Sequence, residues 1–396
     1  MPVTTAIDAA TNAQAIAQAI ARAITRSIEA AEHPILLETP AQLDAAEAAW
    51  SRCDVLGIDT EFVRERTYRA GLGLIQVSDG KHAWLWDPLC FESAEPIARL
   101  LGNPGISKVL HSGSEDLEVL LHSIGTIPEP LVDTQVACAM LGQPLQLAYQ
   151  GAVKWLFDVD VDKDQTRSNW LKRPLQPGQL RYAAMDVVLL PRMLAELRSR
   201  LERAGRWGWL QEEVTRMQRN AEQPTDPDEA YLRIGGAGRL DDDGLRVLRA
   251  LARWREQTAQ ARDSARGFVI PDADLLELAR GRPRTLAELR AAVQLHPNAL
   301  SRYEKALLQT IAAAAADPAP PQWPAPLDKA QMRQIDSMRK RVQERAKALE
   351  VDPALLASRR ELEKLLRASI AGEPPPERFL GWRESVITDE LLAIIR

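Results

Sequence analysis

The sequence predicts an α/β domain, a mixed sheet flanked by helices, followed by two small all-helical domains. Three observations carry that reading. Branched and apolar runs bounded by turn residues recur from Val55 to His111, as strands do. From Leu131 onward the apolar residues move to helical spacing. Two breaker-rich stretches, residues 218–230 and 317–328, then divide the helical remainder.

At 396 residues the chain exceeds one ordinary domain, and two or three are expected. Hydrophobic residues make up 45% and charged residues 27%, enough apolar material to build a core in each. The net charge of -5 argues against a uniformly basic nucleic-acid binder, but leaves room for local basic surfaces beside an acidic site. Cys53, Cys90 and Cys138 form no C-x-x-C pair, as expected of a chain kept in a reducing cytoplasm without disulfides. No apolar run approaches the roughly 18–20 residues of a membrane helix, and the N-terminus lacks the pattern of a secretory signal, so no membrane partner is expected.

Residues 1–33 read as an N-terminal extension. Within it Ile16, Ile20, Ile24 and Ile28 recur every fourth residue, predicting an amphipathic helix that docks or stays poorly ordered. Thr39-Pro40-Ala41-Gln42 combines a cap, a first-turn proline and a capping-box glutamine, so a helix runs from there to about Trp50. Val55 to Phe62 is the central strand. Gly71 to Ser78 and Ala83 to Trp86 follow across the Asp79-Gly80 turn, which implies an antiparallel portion of the sheet. Lys108 to His111 is a further short strand. Ser112 with Glu115 reads as a second capping box, opening a helix with Asp116 in its first turn and Leu117, Leu120 and Leu121 on its buried side.

Leu131 to Gly142 and Ala148 to Phe157 read as helices. Asp162 to Pro174 reads as a polar loop carrying Arg167, Lys172 and Arg173. One strong helix then runs from Gln179 through Leu197, with Tyr182 and Asp186 on a shared face. Beyond the first linker, Leu240–Ala261, Pro271–Ala279, Thr285–Val293 and Pro297–Ala315 form one helical module. Met332, Ile335, Met338, Val342 and Leu349 mark the long helix that opens a second. The runs Val269–Leu276 and Val351–Leu356 occupy the same place after each long helix, so the modules share a design. The expected domains are residues 34–217, 231–316 and 329–396.

The chemistry concentrates in four acids. Asp59 and Glu61, two apart on a strand, project from one face while Thr60 points the other way. Neighbouring carboxylates repel unless a cation sits between them. Asp116 and Asp186 on helices complete the set, with Tyr182 beside the last. Together they suggest a site for two divalent metal ions about 3.5–4 Å apart, stabilising the attacking and leaving oxygens of a displacement at phosphorus. Hard oxygen donors without a His or Cys cluster select Mg²⁺ or Mn²⁺ over zinc. His111 is the nearest histidine, expected to pack against or support the site.

Asp59-x-Glu61, the run His111 to Leu117, and Tyr182-x-x-x-Asp186 resemble the three exonuclease motifs of the DEDD superfamily, tyrosine subclass, and within it the ribonuclease D family. Lys163 to Trp170, with Arg173-Pro174-Leu175 after it, is similar to the same family. The downstream helical pair resembles two HRDC (helicase and RNase D C-terminal) domains. The resemblance spans residues 34–396.

The resemblance implies a ribonuclease-H-like exonuclease fold and metal-dependent release of 5′-mononucleotides from a 3′ end. It implies that Asp59 bridges both ions and that Glu61 and Asp186 complete the water-activating site. Asp116 would hold the second ion, largely through water, and Tyr182 would orient the attacking water. Thr60, Phe62 and Leu117 are candidate substrate contacts: Phe62 could pack on the terminal nucleotide, and Leu117 could wedge near the last base. The expected partner is RNA, a tRNA precursor or other structured RNA with a single-stranded 3′ end, met by a cytoplasmic monomer.

Residues 231–310 hold 14 basic against 10 acidic residues, which fits phosphate contact by the first helical domain. The second, with its Pro374-Pro375-Pro376 insertion, fits packing or linkage. Two rival readings stand beside the exoribonuclease. A DNA exonuclease of repair type would use the same metal site, because RNA preference requires contact with the 2′-hydroxyl. A non-catalytic binding module would be marked by a lost carboxylate, and all four are present.

Overall fold

The branched runs of the first half pair as a single sheet. Its strands are Ile35–Leu37 (β1), Val55–Val63 (β2), Gly71–Ser78 (β3), Ala83–Trp86 (β4), Ser107–Leu110 (β5) and Leu131–Asp133 (β6), in the order β1-β4-β3-β2-β5-β6. The computed structural model describes residues 3–161, 168–295, 297–314 and 323–396. The family-like residues Lys163 to Arg167 and residues 317–322 of the proline-rich connector lie outside the described residues. The sheet is mixed: β3 and β4 are antiparallel, with Gln76 opposite Leu85, while β1–β4, β2–β5 and β5–β6 are parallel.

The chain forms two units. One comprises Met1–Val63, Leu72–Glu222 and Lys329–Arg396; the other comprises Arg64–Gly71 and Gln223–Asp328. In the first, nine α-helices precede the linker among the described residues: Val3–Glu32 (α1), Pro40–Trp50 (α2), Glu95–Leu101 (α3), Ser114–Ile124 (α4), Thr134–Met140 (α5), Tyr149–Phe157 (α6), Pro177–Val188 (α7), Leu190–Arg203 (α8) and Trp207–Glu222 (α9). α7 packs on β2 and β4, and α8 on β2 and β5. Met193, Leu197 and Leu201 of α8 are fully buried, each contributing about 1.5–3 kcal/mol by leaving water. α1 docks on α7 through a face that buries Ala23, Ile24, Ser27 and Ala31, whereas Ile20 of the expected isoleucine stripe faces solvent.

Several expected elements are corrected. Leu131 to Gly142 is not one helix: Leu131-Val132-Asp133 adds a parallel edge strand to β5, and Asp133 then caps α5 through the Gln135 and Val136 amides. The expected helix from Gln179 to Leu197 is two, α7 and α8, broken at Leu189 where Pro191 sits in the new first turn and has no amide to donate. The Ser112–Glu115 capping box does not form. Ser112 has φ 63°, outside the extended region an N-cap requires, and Gly113 takes that place. The Gly113 amide instead donates to the Asp133 carboxylate at 2.8 Å. α9 extends to Glu222, five residues into the stretch read as linker. β1 and α3 were not foreseen.

Within the second unit, Asp242–Ala261 (α10), Arg266–Val269 (α11), Asp272–Gly281 (α12), Leu286–Ala292 (α13) and Pro297–Ala314 (α14) enclose a core that includes Leu248, Leu251, Ile270, Leu278 and Leu307. Tyr68 packs against that core, and its hydroxyl bonds to Glu256 at 2.5 Å. The C-terminal part of the first unit contains Lys329–Leu349 (α15), Pro353–Leu356 (α16), Arg359–Ile370 (α17) and Asp389–Ile395 (α18). It docks on α9, where Trp382 stacks on Trp209 with ring centroids 4.5 Å apart.

Candidate active site

β2 runs through the middle of the sheet and delivers Asp59 and Glu61 near its C-terminal end. α7 crosses β2 closely because residue 57 is glycine: a Cβ there would lie 2.6 Å from the Val187 carbonyl oxygen and 2.9 Å from Leu190 Cβ. That approach carries Asp186 to the strand. Carboxylate oxygens of Asp59, Glu61 and Asp186 lie within 4.8 Å of one another. Tyr182, one turn earlier on α7, is hydrogen-bonded to the Asp186 carboxylate.

Asp116 sits in the first turn of α4 and is set back from that triad. It is buried and accepts a hydrogen bond from the Thr60 hydroxyl. Its charge nevertheless acts on Asp59.

The electrostatics follow from crowding. Burial pushes the Asp59 carboxyl well above its ordinary range, and Asp116, Asp186 and Glu61 add repulsion. Burial, then Asp186 and Asp116, push Glu61 up to about 8. Burial raises Asp186 to about 7 despite the Tyr182 hydrogen bond, and raises Asp116 to about 6 despite the one from Thr60. Burial and the nearby carboxylates also hold the Tyr182 phenol protonated. A set of hard oxygen donors that repel one another at this spacing fits divalent cations: each ion would replace proton binding as the means of neutralising the charge.

The candidate substrate contacts separate. Phe62 follows Glu61 on β2 and is half-buried, with ring surface left to offer. Thr60 is 5% exposed and its hydroxyl is committed to Asp116, which leaves its side chain little surface to offer a substrate. Leu117 has no exposed surface and packs in the core under α4, so it cannot wedge against a base. His111 packs: its ring nitrogens lie 2.8 Å from Thr134 Oγ1 and 2.8 Å from the Leu147 carbonyl oxygen. The sequence reading missed Gly57 and the Thr60–Asp116 bond. The signal for the first was a glycine inside a branched strand, which marks a close backbone approach.

A family model described as 3′-5′ exonuclease matches residues 34–202, and one for the HRDC domain matches residues 244–311. Ribonuclease D of Pseudomonas paraeruginosa is 38% identical over 348 residues, covering 87% of this chain and 92% of that protein. Ribonuclease D of Escherichia coli is 36% identical over 349 residues, covering 85% and 91%. The crystal structure of Escherichia coli RNase D, described as an exoribonuclease involved in structured RNA processing, superimposes with a TM-score of 0.85 over 92% of this chain and 98% of that one, at 32% identity. With carboxylates gathered at the end of β2 and relatives of this extent, the chain belongs to the ribonuclease D family of 3′-5′ exoribonucleases.

Proposed function

We propose that this enzyme trims single-stranded 3′ ends of structured RNA, tRNA precursors foremost, releasing 5′-mononucleotides as a cytoplasmic monomer. Asp59, Glu61 and Asp186, with Asp116 behind them, would hold two divalent ions, Mg²⁺ or Mn²⁺. When bound, the ions supply positive charge to the attacking and leaving oxygens of the phosphodiester. Asp59 would contribute to holding both ions. Tyr182, whose phenol stays protonated and gives its one hydrogen to Asp186, orients the attacking water by accepting from it through its hydroxyl oxygen. Phe62 packs against the terminal nucleotide and fixes the scissile phosphate over the carboxylates.

The observation that carries this reading is the convergence of three carboxylates within 4.8 Å beside a tyrosine bonded to one of them. The first helical module, residues 231–316, with its basic excess, serves as the grip on RNA upstream of the 3′ end, and residues 329–396 serve as a fixed extension of the exonuclease domain. RNA is the substrate class of the family; the choice of tRNA precursors rests on the need for a short free 3′ tail on a folded body.

The test uses matched 5′-labelled RNA and DNA oligonucleotides and a tRNA precursor with a 3′ extension, each with Mg²⁺, Mn²⁺ or EDTA. The expected result is metal-dependent, stepwise shortening of RNA, arrest at the folded body of the precursor, and no reaction by Asp59→Asn. Equal shortening of DNA, or an unshortened precursor tail, overturns the proposed specificity.

A further inference from the structure

We propose that Trp170 is a positioning residue for Tyr182, fixed to the sheet by the Asp87–Arg173 ion pair. The proposal rests on the reading of Tyr182 as the residue that orients the attacking water.

Asp87 follows β4 and is fully buried. Arg173 meets its carboxylate with two parallel bonds, Nε to Oδ2 at 2.5 Å and Nη2 to Oδ1 at 2.6 Å. The same guanidinium donates to the Gly73 carbonyl on β3 at 2.8 Å and to the Trp170 carbonyl at 2.7 Å. One planar fork thus joins the end of β4, the backbone of β3 and the loop ahead of α7, a geometry lysine cannot reproduce. Gly73 lets the loop come this close, since a Cβ there would lie 2.7 Å from Trp170 Cβ.

Trp170 is 3% exposed, and its ring faces that of Tyr182 with centroids 6.2 Å apart and planes inclined by 34°. Tyr182 itself is half-buried on α7, with its hydroxyl on Asp186. The indole therefore forms the wall that limits how far the tyrosine ring can swing, and the ion pair holds that wall against the sheet. A general packing role would need neither the bidentate pair nor the ring contact.

The test is a double-mutant cycle on the full chain, with kcat, KM and melting temperature measured for Trp170→Met, Tyr182→Phe and both together on a single-stranded RNA. Trp170→Met should lower kcat at least about tenfold with KM nearly unchanged, because small displacements at a reacting centre are costly. In the Tyr182→Phe background it should have almost no further effect. Trp170→Phe, which keeps a ring, should retain most of kcat, and Arg173→Lys should behave like Trp170→Met. Additive losses, or a loss of kcat that tracks the fraction unfolded, overturn the positioning role alone. An unchanged kcat in Tyr182→Phe overturns the reading of Tyr182, and this proposal with it.

Discussion

The hydroxyl of Thr60 donates to Oδ1 of Asp116, tying the strand that carries Asp59 and Glu61 to the helix that carries the fourth acid. The bond is buried and one partner is a carboxylate. It favours the charged form of Asp116 against the burial that disfavours it.

Thr60→Val keeps the shape and removes the donor. It should cost about 1–3 kcal/mol of stability, the usual penalty for orphaning a buried polar group. It should also raise the Mn²⁺ concentration needed for half-maximal activity, since Asp116 loses a bond that holds it in place. Urea unfolding and a metal titration of activity check the two halves separately. Unchanged values in both would mean the hydroxyl orients nothing.

The acids also set a dependence of stability on pH. Asp116, Asp186 and Glu61 are raised to about 6, 7 and 8 in the folded chain. Unfolded, they titrate near about 4. Between those values the folded chain binds more protons than the unfolded one, so stability falls as pH rises. Their contribution is fully present below about pH 4 and lost on passing about pH 8. In EDTA the urea midpoint of the wild-type chain should drop more between about pH 5.5 and 8.5 than that of Glu61→Gln. Adding Mn²⁺ should reduce the drop, because metal takes over the neutralising role and displaces protons. A wild-type slope equal to that of Glu61→Gln would show that Glu61 titrates in the folded chain as it does in the unfolded one.

Gly57 offers a purely steric test of the same site. Gly57→Ala places a methyl group against the Val187 carbonyl and Leu190, at distances where something must shift. Overpacking of this kind costs about 1–3 kcal/mol. The backbone that shifts also carries Asp186, so kcat should fall by more than the small population of unfolded chain explains. Steady-state kinetics well below the melting temperature separate the two effects. A destabilised variant with full kcat would show that α7 can retreat without moving its carboxylate.

What was legible in the sequence was governed by local rules. A period of two put Asp59 and Glu61 on one face, and a spacing of four aligned Tyr182 with Asp186. The Thr39–Gln42 capping box formed as read, because its partners lie within one turn. The misreadings occurred where distant chain decides. Strands β1 and β6 are three residues long, too short to show alternation, and exist because β4 and β5 offer open edges. The break at Leu189 is the exception, because its cause, Pro191 in the first turn of α8, is local. Ser112 met every sequence requirement of a cap except its backbone angle. Thr60 was expected to face away from the acids, and it does leave Asp59 and Glu61, only to meet Asp116 arriving from another layer.

The docking of the C-terminal helices makes the largest stability prediction. Glu213 of α9 is buried and accepts hydrogen bonds from Arg383, from Arg378 at 2.6 Å, from Arg216 at 2.7 Å and from Trp382 Nε1 at 3.1 Å. Burial alone would raise its carboxyl, but Arg383, Arg378 and Arg216 outweigh it and hold it at about 2. A depressed carboxyl stabilises the fold above the unfolded value and loses that contribution as pH falls toward 2. Glu213→Ala leaves Arg383, itself 1% exposed, as a buried cation without its counter-ion. Removing one member of such a pair costs about 3–5 kcal/mol, more than the intact pair contributes. The loss should appear first as proteolytic cutting within residues 329–396, while the acids at the end of β2 still bind Mn²⁺. Replacing Glu213 together with Arg383 by apolar residues should recover part of the loss, because the most deeply buried of the cations is then not stranded. Limited proteolysis and urea unfolding of the single and double variants decide the matter, and a double variant no better than the single would show that Arg378 and Arg216 carry the penalty instead.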